Sequence, residues 1–324
     1  MSTQIYYHQY LMKSRRGLNS KSHSIEHEGA LIRVDVDDVS GYACLHPWVE
    51  LGDLSLDKLL KQLSEGRISR QVKCALECAE IDREARRANV NLFDSLEIPL
   101  SHATIVGGIN EIEEAVSRGF DTMKLKMGKD EKANVSSLKE IYKAFPELLI
   151  RIDFNGVSGF GALEYLLSQI GEEVRERIDF LEDPLPSGDE RWQSLRDKYG
   201  MKVAIDRGVS EVEGEFDVSV LKPAINDRLR ICDSAQMNGR NVVITSYMDH
   251  PLGQKYAAFC AGQLNDKYLG LINKRCGLVT HGLYEKDAYI ERLGEVNSQF
   301  SIEKGGTGLG FDDLLENIDW RKLL

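Results

Sequence analysis

The sequence predicts an α/β protein. A parallel (β/α) barrel spans residues 98–299, an α+β domain over residues 1–97 precedes it, and a tail, 300–324, is expected to pack back on that domain. Three observations predict this. Five short apolar runs each end on charge, at Lys124-Leu125-Lys126, Asp153, Glu182, Asp206 and Lys222. From Lys126 the successive intervals are 27, 29, 24 and 16 residues, and the first three match the roughly 30 residues of one strand-plus-helix unit in an eight-unit barrel. The front of the chain lacks this alternation and reads as strands followed by helices.

In the front domain, residues 5–12, 30–36 and 41–45 read as strands. The stretch from Lys13 to Ser24 is polar and basic, too charged to pack, and reads as a mobile loop. Ser55 suits the N-cap of a helix over 56–65, where Leu56, Leu59, Leu60 and Leu63 form one apolar stripe. Ser69 suits the cap of a longer helix to about residue 89, with Val72, Ala75, Leu76 and Ala79 inward. Cys74 and Cys78, one helical turn apart, read as small core residues rather than metal ligands.

From residue 98 strands and helices alternate. Strands are expected at 100–106, 122–126, 148–153, 178–182, 203–206, 218–222 and 241–245. Helices are expected at 110–118, 135–144, 163–170, 191–199 and 228–238, with another starting at Pro251. Gly119 ends the first helix and Pro146 stops the second. The short interval before Lys222 leaves room for little or no helix, and no clear eighth unit is visible.

Composition narrows the partners. A net charge of −11 argues against nucleic acid, which calls for clustered Lys and Arg, but leaves room for a small anionic substrate. No run of about 18 apolar residues exists, and residues 1–9 contain no apolar signal core. Six scattered cysteines without a Cys-x-x-Cys pair suit a reducing compartment. These features predict a soluble, cytoplasmic protein with no membrane partner; oligomeric state leaves no mark in the sequence.

Side chains alternate along a strand, so Lys124 and Lys126 share a face, as do Arg151, Asp153 and Asn155. That face of a filled barrel is normally Val, Ile or Leu, and buried charges cost several kcal/mol unless paired or metal-bound. One charged strand end is ordinary solvent-facing polarity; five converging on one edge describe a site. Asp153, Glu182 and Asp206, with no His or Cys among them, suit a hard cation, Mg²⁺ foremost and Mn²⁺ also. Flanking lysines suggest proton transfer, because a metal and a second ammonium lower a lysine from its usual pKa of about 10.4. The chemistry indicated is removal of a proton beside a carboxylate, with the metal holding the enediolate.

Lys124-Leu125-Lys126, Asp153-Phe154-Asn155-Gly156, Glu182-Asp183-Pro184, Ala204-Ile205-Asp206 and Lys222-Pro223 resemble the enolase superfamily in its muconate-cycloisomerase-like branch. Gly29-Ala30-Leu31-Ile32, the segment from Leu45 to Asp53 and that from Thr245 to Gln254 resemble its o-succinylbenzoate synthase family. The resemblance covers essentially the whole chain. It implies a (β/α)7β TIM-like barrel under an N-terminal capping domain whose mobile loop closes over the site. It implies Asp153, Glu182 and Asp206 as ligands of Mg²⁺, and Lys126 as the residue that takes the α-proton and then protonates the departing hydroxyl. Lys222 would face it across the substrate and stabilise the anionic intermediate. Lys124, Arg151 and Ser246 would contact substrate. The reaction implied is syn dehydration of 2-succinyl-6-hydroxy-2,4-cyclohexadiene-1-carboxylate to o-succinylbenzoate in menaquinone biosynthesis, by a carbon–oxygen lyase. Two alternatives stand beside it: an N-acylamino acid racemase or dipeptide epimerase of the same branch, and a non-catalytic barrel scaffold.

Other motifs carry less. Gly306-Thr307-Gly308-Leu309-Gly310 has the wrong spacing for a dinucleotide fingerprint and reads as a barrel-mouth lining or a tight turn. Gly128-Lys129-Asp130 lacks the remainder of a P-loop. His46, His102, His250 and His281 have no ligand spacing and read as structural.

Overall fold

The computed structural model describes residues 3–18, 24–127, 130–209, 214–302 and 305–324. The chain opens with three antiparallel strands, β1 (Gln4–Lys13), β2 (Glu26–Val36) and β3 (Val39–Leu45). Asp37 and Asp38 join the last two, both in the left-handed region at φ 49° and 63°. That two-residue geometry matches the right-handed twist of the flanking strands. Helix α1 (Leu56–Ser64) buries Leu56, Leu59, Leu60 and Leu63, the predicted stripe, although Ser55 makes no side-chain cap bond. Helix α2 (Arg70–Arg87) starts at Ser69, whose hydroxyl accepts from the Val72 N–H, and packs along β3. Both Cys74 and Cys78 lie in its buried face.

The barrel begins with β4 (Leu100–Ser101) and β5 (Ala103–Ile105), two pieces of one strand interrupted at His102. It continues through α3 (Ile109–Ser117), β6 (Thr122–Lys126), α4 (Glu131–Ala144), β7 (Leu149–Asp153), α5 (Phe160–Gln169), α6 (Glu172–Arg175) and β8 (Ile178–Glu182). Then come α7 (Trp192–Tyr199), β9 (Val203–Ile205), β10 (Val218–Leu221), α8 (Arg228–Met237), β11 (Asn241–Ile244) and α9 (Pro251–Lys267). Helix α4 starts earlier than expected because Asp130 caps it, accepting from the Ala133 N–H. Among the described residues no helix separates β9 from β10, as the short interval predicts.

Strands β5 to β11 pair in parallel in chain order. The eighth stave, invisible in the sequence, is the segment around β12 (Arg275–Cys276), which pairs with β4. Bridges from Val242 to Ile272 and from Thr245 to Gly277 hold its other side to β11. Register sets the charged strand ends side by side: Lys126 opposite Asp153, and Asp153 opposite Glu182. Beneath them Phe180, Ala204, Val218, Val220 and Val243 form a separate buried cluster that fills the interior.

After the barrel come α10 (Ala288–Arg292), α11 (Asp312–Glu316) and β13 (Arg321–Lys322). Strand β13 pairs antiparallel with β1, Tyr6 opposite Lys322 and Tyr7 opposite Arg321. The glycine-rich segment before it is a tight turn against α2, not part of the barrel mouth. Gly308 exchanges backbone bonds with Val90 and Leu92, and the Leu309 N–H donates to Asp82. Gly308 sits at φ 56°, and a Cβ there would collide with the Asp82 carboxylate, so glycine is required.

Of the basic stretch after β1, expected to be mobile, the described residues 13–18 are packed. Ser14 and Leu18 are buried. The Arg15 N–H donates to the Leu283 carbonyl at 2.9 Å, and its Nε to the Tyr284 carbonyl at 3.0 Å. Leu18 joins Met12, Trp48, Tyr247, Tyr284 and Ile290 in one apolar cluster. Backbone groups, Ser14, the Arg15 guanidinium and a single leucine do the packing while Lys13 and Arg16 stay near solvent, which a reading by composition misses. Residues 19–23 of this stretch, and Gly128-Lys129, lie outside the described residues.

Candidate active site

The ring of eight staves fixes which charges oppose each other. Lys126 ends the second stave, β6, and Lys222 follows the sixth, β10, so they stand across the barrel. Asp153, Glu182 and Asp206 end the third, fourth and fifth staves, between them. A cavity of about 570 Å³ opens over these ends, lined by Lys124, Lys126, Asp153, Asp206, Lys222 and Ser246, and from the first domain by Leu51, Asp53, Arg70 and Gln71.

The strand ends are held by short polar contacts. The Asn155 N–H donates to Asp153 Oδ1 at 3.0 Å. Asp183 receives the N–H groups of Asp206 and Arg207 at 3.1 and 3.2 Å, fixing the turn that carries Asp206. Arg207 in turn donates to Asn155 Oδ1 at 3.1 Å. Asn155 and Asp183 adopt positive φ, 53° and 42°, a conformation that persists where surrounding bonds over-determine it.

Two ammonium groups face the acids. Lys124 Nζ lies 2.7 Å from Glu182 Oε1 and 3.1 Å from Asp153 Oδ2. Burial alone would lower its pKa, but the charges of Asp153, Glu182 and Asp206 outweigh that and hold it above the usual ammonium range. Lys222 Nζ lies 2.5 Å from Asp206 Oδ2 and 5.6 Å from the centre of the Tyr247 ring. Lys126 differs. Its Nζ donates to the Leu18 carbonyl at 2.6 Å, and burial lowers its pKa, with Asp153 pulling it back and Lys124 pushing it down. Of the two neighbouring lysines, Lys126 is the one suited to exist as a free amine.

The donor chemistry fits a hard cation. Burial raises the Glu182 carboxyl against the pull of Lys124, and Asp153 and Asp206 raise it further; added positive charge relieves such a cluster. As the side chains stand, Lys124 fills the space between Asp153 and Glu182. Among the described residues no three His, Cys, Asp or Glu side chains converge tightly enough to ligate one ion. The oxygen donors of three adjacent staves suit Mg²⁺ in kind, with lysines presently balancing their charge.

Two expected site residues sit differently. Ser246 reaches the cavity, its hydroxyl 2.8 Å from that of Thr280. Arg151 does not line it. It is fully buried, donating to Asp179 at 2.9 Å, Asn273 at 3.2 Å and His102 at 2.7 Å, above the Phe180 ring. It faces inward as alternation required, but one level deeper than Asp153. His102, read as structural from the sequence, forms part of the cavity wall, and no local spacing marked it.

A family model described as the o-succinylbenzoate synthase N-terminal domain matches residues 5–85, and one described as enolase C-terminal domain-like matches residues 109–217. An o-succinylbenzoate synthase of Bdellovibrio bacteriovorus is 32% identical over 331 residues, spanning 98% of this chain and 98% of that protein. The chain belongs to the o-succinylbenzoate synthase family. That membership makes it an enzyme of the lyase class. An L-Ala-D/L-amino acid epimerase of Populus trichocarpa is 26% identical, over 64% of this chain and 56% of its own length. A dipeptide epimerase from Enterococcus faecalis V583 shares the fold, with a TM-score of 0.77 at 17% identity over 96% of this chain and 99% of its own. It has also been solved complexed with Mg and the dipeptide L-Leu-L-Tyr. This chain thus shares its (β/α)7β barrel with N-terminal antiparallel sheet with that solved epimerase.

Proposed function

We propose that this family member dehydrates 2-succinyl-6-hydroxy-2,4-cyclohexadiene-1-carboxylate to o-succinylbenzoate, as a step of menaquinone biosynthesis in the cytoplasm. The observation that carries the reading is the pair of lysines on opposite staves, Lys126 and Lys222, with three acids between them. Among the described residues no helix is long and apolar enough to cross a membrane.

Lys126, as the free amine, removes the proton on the carbon bearing the ring carboxylate. It then returns that proton to the hydroxyl leaving from the same face. One C–H and one C–O bond break, the ring gains its last double bond, and water departs. Lys222 stands over the other face, where its charge favours the electron-rich ring. Lys124 and Ser246 orient the substrate carboxylates. Asp153, Glu182 and Asp206 would hold Mg²⁺ or Mn²⁺, which when bound supplies charge for the carboxylate oxygens as the proton leaves. The test is turnover by purified protein with Mg²⁺, followed as loss of diene absorbance and stopped by EDTA. Absence of turnover would sink the reading.

A second reading draws on the same geometry. Lys126 and Lys222 flank the cavity from both sides, as a racemase or epimerase requires, and epimerases occur among the relatives and the solved structures. Deuterium exchange at the α-carbon of N-succinyl amino acids or dipeptides, without dehydration of the cyclohexadiene, would favour it.

A further inference from the structure

We propose that His102 is a substrate-binding residue whose Nε2–H donates a hydrogen bond to a carboxylate oxygen of the bound substrate. The inference rests on the reading of this cavity as a site for a dicarboxylate.

His102 interrupts the first barrel stave, and its own N–H donates to the Cys276 carbonyl at 2.7 Å, so the backbone is fixed by barrel closure. Its Nδ1 lies 2.7 Å from Arg151 Nη1. A guanidinium has five donors and no acceptor, so Nδ1 must accept, and a neutral imidazole then carries its proton on Nε2. Arg151 cannot turn away, since Asp179, Asn273 and the Phe180 ring hold its other sides. Burial, with the charges of Arg151 and Lys124, keeps the imidazole well below its usual pKa and therefore neutral.

The donor so fixed points into usable space. No hydrogen bond among the described residues engages Nε2, yet it is not one of the buried atoms left without a partner. Both ring nitrogens of His281 are. Nε2 is therefore reachable from the cavity that His102 lines. The ring edge rests on Gly277, where a Cβ would fall 2.8 Å from Cε1 and 2.9 Å from Nε2. Only glycine leaves that edge room. Thr104 lies on the same face two residues on and pairs with Lys124, so the donor shares its wall with a cation. A core histidine serving packing alone has no need of a guanidinium that dictates its tautomer and a glycine that clears its far edge.

Asparagine and glutamine separate the two ring nitrogens. H102N keeps an acceptor for Arg151 but loses the donor at the Nε2 position; H102Q places an amide N–H near that position. Titration calorimetry with o-succinylbenzoate should show H102N binding about tenfold more weakly or worse and H102Q recovering much of the loss, with KM rising more than kcat falls. Unchanged binding by H102N, or H102Q weaker than H102N, would overturn the assignment. Should the variants fail to fold, ¹⁵N-labelled wild-type protein serves: the His102 ring must be protonated at Nε2, and that N–H signal must shift on saturation. A signal that stays in place refutes the role. Wild-type protein that turns the cyclohexadiene over while H102N binds normally would refute His102 alone. Wild-type protein that neither turns over nor binds would overturn the functional reading and this inference with it.

Discussion

The Nζ of Lys126 donates to the backbone carbonyl of Leu18 at 2.6 Å. A barrel lysine is thereby tied to the segment that leaves the first strand, and that segment is itself seated by Leu18 among Met12, Trp48, Tyr247, Tyr284 and Ile290. Leu18→Ala leaves the carbonyl but removes its seat. Buried Leu to Ala changes cost about 2–5 kcal/mol, here against the closed segment. The expected result is a fall in kcat/KM of about tenfold or more and faster trypsin cleavage at Arg15 and Arg16. Wild-type values in both would show that the contact is passive.

The same lysine sets a pH dependence. The base is the neutral amine, so the rate rises with pH and levels off above its pKa. Because burial lowers that pKa, the midpoint should lie below the ordinary lysine value of about 10.4. Lys126→Ala should remove this limb together with at least about a hundredfold of the rate, while Mg²⁺ binding by calorimetry stays near that of the wild type.

Glu182 is buried between Lys124 and the other two acids. Glu182→Gln removes one of three anionic oxygen donors. EDTA should abolish activity in the wild type and Mg²⁺ restore it; the variant should need at least about a hundredfold more Mg²⁺ for half-maximal rate. An unchanged Mg²⁺ requirement would take Glu182 out of the metal site.

Asp82 is fully buried and serves three partners: the Tyr42 N–H at 2.9 Å, the Leu309 N–H at 2.6 Å and Arg86 Nε at 2.7 Å. Arg86 goes on to Asp312 and the Gly310 carbonyl. Asp82→Ala leaves two buried N–H groups without their acceptor and takes from Arg86 one of its two carboxylate partners. It should cost about 3–5 kcal/mol, read as a lower urea midpoint with little change in kcat of the folded fraction.

The charged strand ends were legible because charge is expensive inside a barrel, so their repetition at the βα interval pointed to a site and not to surface polarity. Arg151 marks the limit of that logic. Alternation gives the face of a strand but not the depth along the barrel axis, and Arg151 lies fully buried, one level below the residues that line the cavity. The eighth stave was hidden because its ladder is two residues, Arg275 and Cys276, propped by isolated bridges. His102 was hidden because its meaning lies in Arg151, 49 residues away in sequence. In the loop after β1 the packing of residues 14–18 escaped a reading by composition because the charges are many and the anchors, Ser14 and Leu18, are few.

Strand β13 covers the outer side of β1, and the Leu323 N–H reaches the Ile5 carbonyl at 2.8 Å. On the ribosome β1 emerges long before Arg321 and Lys322. Its tyrosine-rich edge must therefore wait, unpaired, through synthesis of the entire barrel. An open strand edge is a template for another chain, and β1 carries no acidic residue and only Lys13 among basic ones to discourage it. Nascent or C-terminally clipped chains are thus the forms most prone to associate through this sheet, and fusions that displace β13 carry the same hazard.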